Sequence, residues 1–290
     1  MLTGLSETRK AGIFSALVLA MAIGAALLIR ARQLPSGMRS SALYMFVPAV
    51  ATLLMLLVVT RDGYTKAGWR SLGLHRAGLK AWWIAILAPL LVGLVGTAIV
   101  WATPIASLVL PDDTFSTVIG FFVQLVIFTV TLSLGEELGW RGYLLPRLLS
   151  VGRTRALVLV GLVWAAWHLP LIFLTPLYHP DGNRWLVLPL FVGTIVAGSF
   201  VFGYLRLWTD SVWPAAIAHS AHNGAWGTLT TFTATATPVV VNEYLVGDKG
   251  ILILIGTALV AWWLGHRLTT HGQLAGNDPA ETLVAADPRR

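Results

Sequence analysis

The sequence predicts an all-α polytopic membrane protein, a bundle of about eight transmembrane helices, and three observations carry that expectation. The 290 residues are 56% hydrophobic and 11% charged, with a mean hydropathy of +0.75, which is too apolar for a soluble domain of this length. The apolar residues fall into separate runs of about 18 residues or more with almost no charge, the length at which a helix crosses a hydrocarbon core. Many of the thirteen Trp stand near the ends of those runs, among them Trp82, Trp83, Trp185, Trp208, Trp213, Trp262 and Trp263, where an aromatic belt meets the headgroups.

The expected spans are 11–29, 41–60, 81–103, 117–136, 156–175, 186–205, 212–230 and 250–266. The first follows Arg9 and Lys10 and runs into Arg30 and Arg32 without a small-residue cleavage site, so it reads as a retained helix and not as a signal peptide. Between the second and third spans, RDGYTKAGWRSLGLHRAGLK mixes basic residues with Trp69, Leu72 and Leu74, which suits either a short interfacial helix or a solvated loop. The fourth span ends on Glu136 and Glu137, the fifth carries His168, and the seventh carries His219, His222 and Asn223. Residues 269–290 are polar and contain Pro and Gly, so a disordered tail is expected, leaving 1–268 as the transmembrane domain.

A net charge of +7 raises the question of a nucleic-acid partner, but the basic residues sit in short loops between apolar runs. No nucleic acid is expected; the asymmetry reads as orientation. Fifteen of the twenty Lys and Arg lie in the N-terminal segment, the alternate loops on its side and the tail, which places both termini in the cytoplasm. With no cysteine in the chain, disulfides, thiolate catalysis and cysteine-ligated metal are excluded. Basic residues dominated by Arg, with abundant Ala and Gly, suggest a GC-rich bacterial genome, hence a multi-pass protein surrounded by lipids of the plasma membrane.

Ionisable groups at membrane depth are expensive and are functional candidates by default. Residues four apart share a helix face, which pairs Glu137 with Arg141, Trp164 with His168, and His219 with Asn223. An Arg at that spacing forms a charge-assisted pair with Glu137 and makes those two an orienting unit. Glu136 then projects about 100° away around the helix and is the candidate general base. His168 is placed to help Glu136 hold and deprotonate a water, and His219 with Asn223 to donate to the oxyanion formed when water attacks an amide. His222 either supports these groups or faces another helix. Plainer readings stand beside each: a structural salt bridge, a packing histidine, and a polar network between helices.

GEELGWRGYLLPRL, WAAWHLP and AHSAHNGAW resemble, in order and spacing, the three motifs of the CPBP (CAAX protease and bacteriocin-processing, or Abi) family of intramembrane endopeptidases. Glu136, Glu137 and Arg141 match the first motif, Trp164 and His168 the second, where the family more often has Phe, and His219 and Asn223 the third. The resemblance covers about 115–230. It implies an eight-helix bundle with an embedded cavity open to the cytoplasm, and peptide-bond hydrolysis by a water that Glu136 and His168 activate. It also implies an oxyanion site at His219 and Asn223, and a peptide or membrane-protein substrate. Its eukaryotic relatives remove three residues from prenylated proteins, and bacterial relatives act in bacteriocin immunity or processing. No cofactor is expected; the alternative is a zinc ion on Glu136, His168 and His219, although no HExxH helix is present. A non-enzymatic role for the same polar cluster, as a proton-coupled transporter or an immunity or scaffold factor, is the rival from another class. One expectation conflicts with convergence: His168 lies about 18 Å and His219 about 10 Å along their spans, with Glu136 at the end of its own. The spans must shift, or the GEELGWRG segment must dip inward.

Overall fold

Backbone placed in lipid has to satisfy its own hydrogen bonds, so each long apolar run folds as a helix. The computed structural model describes residues 4–35, 37–179 and 181–274. Among the described residues seven helices are long and apolar enough to cross a membrane: Glu7–Ala31, Arg39–Val59, Leu79–Trp101, Thr114–Val151, Arg153–Leu174, Arg184–Thr209 and Ile251–Thr270. Trp213–Thr231 is a further helix, between the last two of these. It falls short in apolarity because it carries His219, Ser220, His222 and Asn223, and it packs against the third, fourth and sixth spans. The polytopic all-α architecture and the order of eight helices are therefore as expected, with the polar one held by its neighbours.

The fourth span departs most from expectation. It does not end at 136 but continues to Val151, roughly 22 Å further along the chain at the helical rise. The backbone breaks at Thr131, with φ −123° and ψ −94°. It resumes over Leu132–Glu137 and then winds more loosely through the π-helical stretch Leu138–Leu144. Such π-segments are common at functional sites. Charges in GEELGWRG depress a running hydropathy average and so imitate a helix end, yet here they pair with one another inside the bundle. Gly139 allows the second span to come close, since a Cβ there would lie 2.5 Å from Pro48 Cβ.

The first helix is integral to the bundle: Phe14, Val18 and Ala22 are fully buried, and it packs against the fifth span. Its start is tied down by Lys10, 3.0 Å from Asp62 and 2.9 Å from Glu7, with Arg147 3.5 Å from Asp62. Partial burial works against ionisation of Asp62, and hydrogen bonding and charge from Lys10 outweigh it, holding this carboxyl below its usual range. Within the basic loop that follows, Leu72 is buried and Trp69 exposed, around the short helix Lys66–Arg70. At the opposite end of the bundle a two-stranded ladder pairs β1 (Ala106–Leu108) antiparallel to β2 (Thr233–Thr235). The last helix runs to Thr270, and the Leu274 carbonyl accepts from Arg153 at 2.9 Å. The first residues of the expected tail are thus packed; 275–290 lie outside the described residues.

Fifth and sixth spans cross closely at Gly161, where a Cβ would sit 2.9 Å from the Val196 Cα and 3.1 Å from the Ser199 Cβ. Small residues at such crossings let helix backbones pack in lipid, and Ser199 adds a hydrogen bond to the Leu157 carbonyl at 2.8 Å. Gly161→Val is expected to force the pair apart and cost about 1–3 kcal/mol. A lowered unfolding midpoint in detergent checks this, and an unchanged midpoint would contradict so close a crossing.

Candidate active site

The break at Thr131 and the π-turn point Glu136 and Glu137 to different neighbours. Behind the site, Arg141 Nη1 donates to both oxygens of Glu137 at 3.0 Å, and neither residue has any solvent exposure. The Arg141 guanidinium lies over the Trp164 ring at 4.5 Å and near Phe202 at 5.0 Å, which supplies cation–π attraction to a buried cation. His219 Nδ1 is 2.9 Å from Glu137 Oε1. The pair expected from spacing is present, and His219 extends it to a triad.

Glu136 has a different set of partners. Its Oε2 accepts from the Trp164 indole at 2.9 Å and from the Trp140 indole at 3.3 Å. Its Oε1 faces His219 Nε2 at 4.0 Å. His168 Nδ1 is 2.9 Å from the Trp164 carbonyl. A carbonyl only accepts, so Nδ1 carries the proton and Nε2 of the neutral ring is an acceptor.

Glu136, His168, His219 and Asn223 line one cavity of about 400 Å³, with Trp164 and His222 in its wall. The depth conflict is resolved because the fourth span continues past Glu136, bringing it level with Trp164 and His219. Glu137 and Arg141 do not line the cavity. From Glu136 it extends past Tyr44 and Tyr178 to Gly37, Asp248 and Lys249. These last lie at the end of the bundle away from the basic loops. The positive-inside rule assigns the basic end to the cytoplasm, so this part of the cavity runs away from the side on which the opening is expected.

A cluster of polar groups fastens the far end of the cavity. Tyr178 donates to Asp248, His179 pairs with Glu243, Lys249 Nζ is 3.0 Å from Asp248 Oδ2, and His222 Nε2 is 3.1 Å from the Asp248 carbonyl. Burial works to raise the Asp248 carboxyl, while Lys249, then His179 and the Tyr178 hydrogen bond, outweigh it and hold it well below the usual range. A depressed carboxylate contributes its stability above the unfolded value of about 3.9 and loses it as pH falls through the lower folded value. Amide protection near Tyr178 and Asp248 is therefore expected to be flat between about pH 5 and 8 as far as this group is concerned. It is expected to drop in Asp248→Asn at every pH in that window, and equal protection in the variant would contradict the fastening.

The sequence places many tryptophans at an aromatic belt and pairs Trp164 with His168, and it assigns neither Trp140 nor Trp164 to Glu136. A signal existed for the first, since Trp140 follows Glu136 by the same four residues that pair Glu137 with Arg141. Asp248 and Lys249 read as an external loop, and no periodicity connects them with the motifs. Among the described residues, no group of three or more His, Asp or Glu side chains is gathered for a metal ion. Glu136 Oε2 takes two indole donors and His219 Nδ1 is bound to Glu137. These bonds leave Glu136 Oε1, His168 Nε2 and His219 Nε2 unengaged, and a His held by a carboxylate at its other ring nitrogen is a common metal-ligand arrangement, so the residues present do not exclude a zinc ion on Glu136, His168 and His219.

Residues 117–225 match the family model described as type II CAAX prenyl endopeptidase Rce1-like. Over 84 residues the chain is 32% identical to CAAX prenyl protease 2 of Methanococcus maripaludis. These findings support the CPBP/CAAX protease family. The alignment covers 28% of this chain and 31% of that relative, so less than a third of the relative's length is spanned. The CAAX-protease-like segment contains all seven motif residues from Glu136 to Asn223. Tyr44, Asp248 and Lys249, which wall the far part of the cavity, lie outside it.

Proposed function

We propose that the chain is a membrane-embedded endopeptidase of CAAX type that hydrolyses a peptide bond with a water activated by Glu136. The observation that carries the reading is the convergence of Glu136, His168, His219 and Asn223 on one cavity. A water held between Glu136 Oε1 and His168 Nε2 gives its proton to Glu136 as its oxygen attacks the carbonyl carbon. The oxyanion accepts from the Asn223 amide and from His219. Donation from His219 Nε2 while Nδ1–H is directed to Glu137 requires both ring nitrogens to carry a proton. Glu136 then passes its proton to the amide nitrogen, the C–N bond breaks, and a carboxylic acid and an amine leave.

Glu137 and Arg141 serve this reading by orienting His219. The buried pair neutralises one of the two adjacent carboxylates, so Glu136 is the one left to exchange a proton with substrate. The substrate is a peptide or membrane protein reached within the lipid bilayer of the plasma membrane, with no nucleic acid involved. Cleavage by the protein reconstituted in lipid vesicles is expected to survive exhaustive chelation. Loss of cleavage restored by stoichiometric zinc would overturn the metal-free mechanism while leaving a protease.

A further inference from the structure

Trp164 touches four groups of the proposed machinery. Its indole N–H donates to Glu136 Oε2 at 2.9 Å, its ring lies under the Arg141 guanidinium, its carbonyl accepts from His168, and its ring centroid is 5.4 Å from that of His219. Trp164 is 4% exposed, and the bond of its N–H to a buried carboxylate oxygen is one whose loss is expensive. Trp140 adds a second, longer donor to the same oxygen.

Two indoles on Oε2 decide which oxygen of Glu136 can act. Oε1 remains toward His219 Nε2 and the cavity. A carboxylate turned by a rotation about its last torsion would exchange the two oxygens, and the paired indoles oppose that rotation. We infer that Trp164 is a positioning residue for the peptidase reaction: its indole N–H anchors Glu136 Oε2 and presents Oε1 as the base. The inference rests on the protease reading for its role and on the geometry alone for its hydrogen bond. Phenylalanine lacks the donor and is the smaller ring, so Trp164→Phe removes the hydrogen bond together with part of the packing around Arg141.

The test has two readouts. Protein labelled with ¹⁵N at the indoles is compared by NMR with Glu136→Gln, in which every tryptophan is still present. Two of the thirteen indole resonances are expected to move upfield and the rest to stay. In a cleavage assay run where the variant is fully folded, Trp164→Phe is expected to lower kcat by about 10–100-fold, the scale of a small misplacement of a reacting group, with KM within about twofold. Trp140→Phe, which loses the longer bond, is expected to fall less. Indole resonances unmoved in Glu136→Gln, or wild-type kcat in Trp164→Phe, would overturn the inference. Undiminished cleavage by Glu136→Gln would instead overturn the protease reading, and the resonance result would still report the hydrogen bond.

Discussion

Glu136→Gln is expected to lower the rate of peptide cleavage by about 10²–10⁴-fold, the usual contribution of a positioned general base. KM is expected to change little, because the amide matches the carboxylate in size. The fold should tolerate the change: the glutamine carbonyl oxygen accepts from the Trp164 and Trp140 indoles as Oε2 does. Its amide N–H then faces the His219 ring in place of Oε1. Rates measured in lipid vesicles, together with unfolding midpoints, separate the two effects. A variant that cleaves within tenfold of the parent would mean that Glu136 is not the base.

Arg141→Met carries the largest expected effect on stability. It leaves the Glu137 carboxylate in a site with no solvent exposure, retaining His219 as its partner but not its fixed cation. Removing one partner of a buried ion pair costs about 3–5 kcal/mol, because the remaining charge is uncompensated. The penalty belongs to the stranded carboxylate and not to the lost arginine, so Glu137→Gln combined with Arg141→Met should recover part of it. Denaturant titration in detergent of both variants decides the matter. A double variant no more stable than Arg141→Met alone would contradict a buried charge as the cause.

Hydropathy made the helices legible because a span needs a long apolar run and little else. It failed where chemistry sits inside a span. The fourth helix was cut short at Glu136, since buried charges that compensate one another in space look in sequence like a solvated end. Trp213–Thr231 was recognised as a span in spite of its polar residues, and its neighbours supply the environment that its composition lacks. The four-residue rule found Glu137 with Arg141 because both ends are ionic and conspicuous. Its counterpart, Glu136 with Trp140, has the same spacing and passed unnoticed, because an indole reads as packing until its N–H is seen to donate. Trp164 with Glu136, and Tyr178 with Asp248, join different helices and loops, and no periodicity along one chain segment encodes such meetings.

The central claim, that Glu136 activates a water for peptide hydrolysis in this cavity, is tested most directly by comparing membrane peptidomes. Cells lacking the gene are supplied either with the parent protein or with Glu136→Gln at equal level and equal unfolding midpoint. The account predicts a defined set of cleavage products that is present with the parent protein and absent with the variant. If no product disappears while Glu136→Gln rescues a phenotype of the deletion, the polar cluster serves a non-enzymatic role and the account is contradicted.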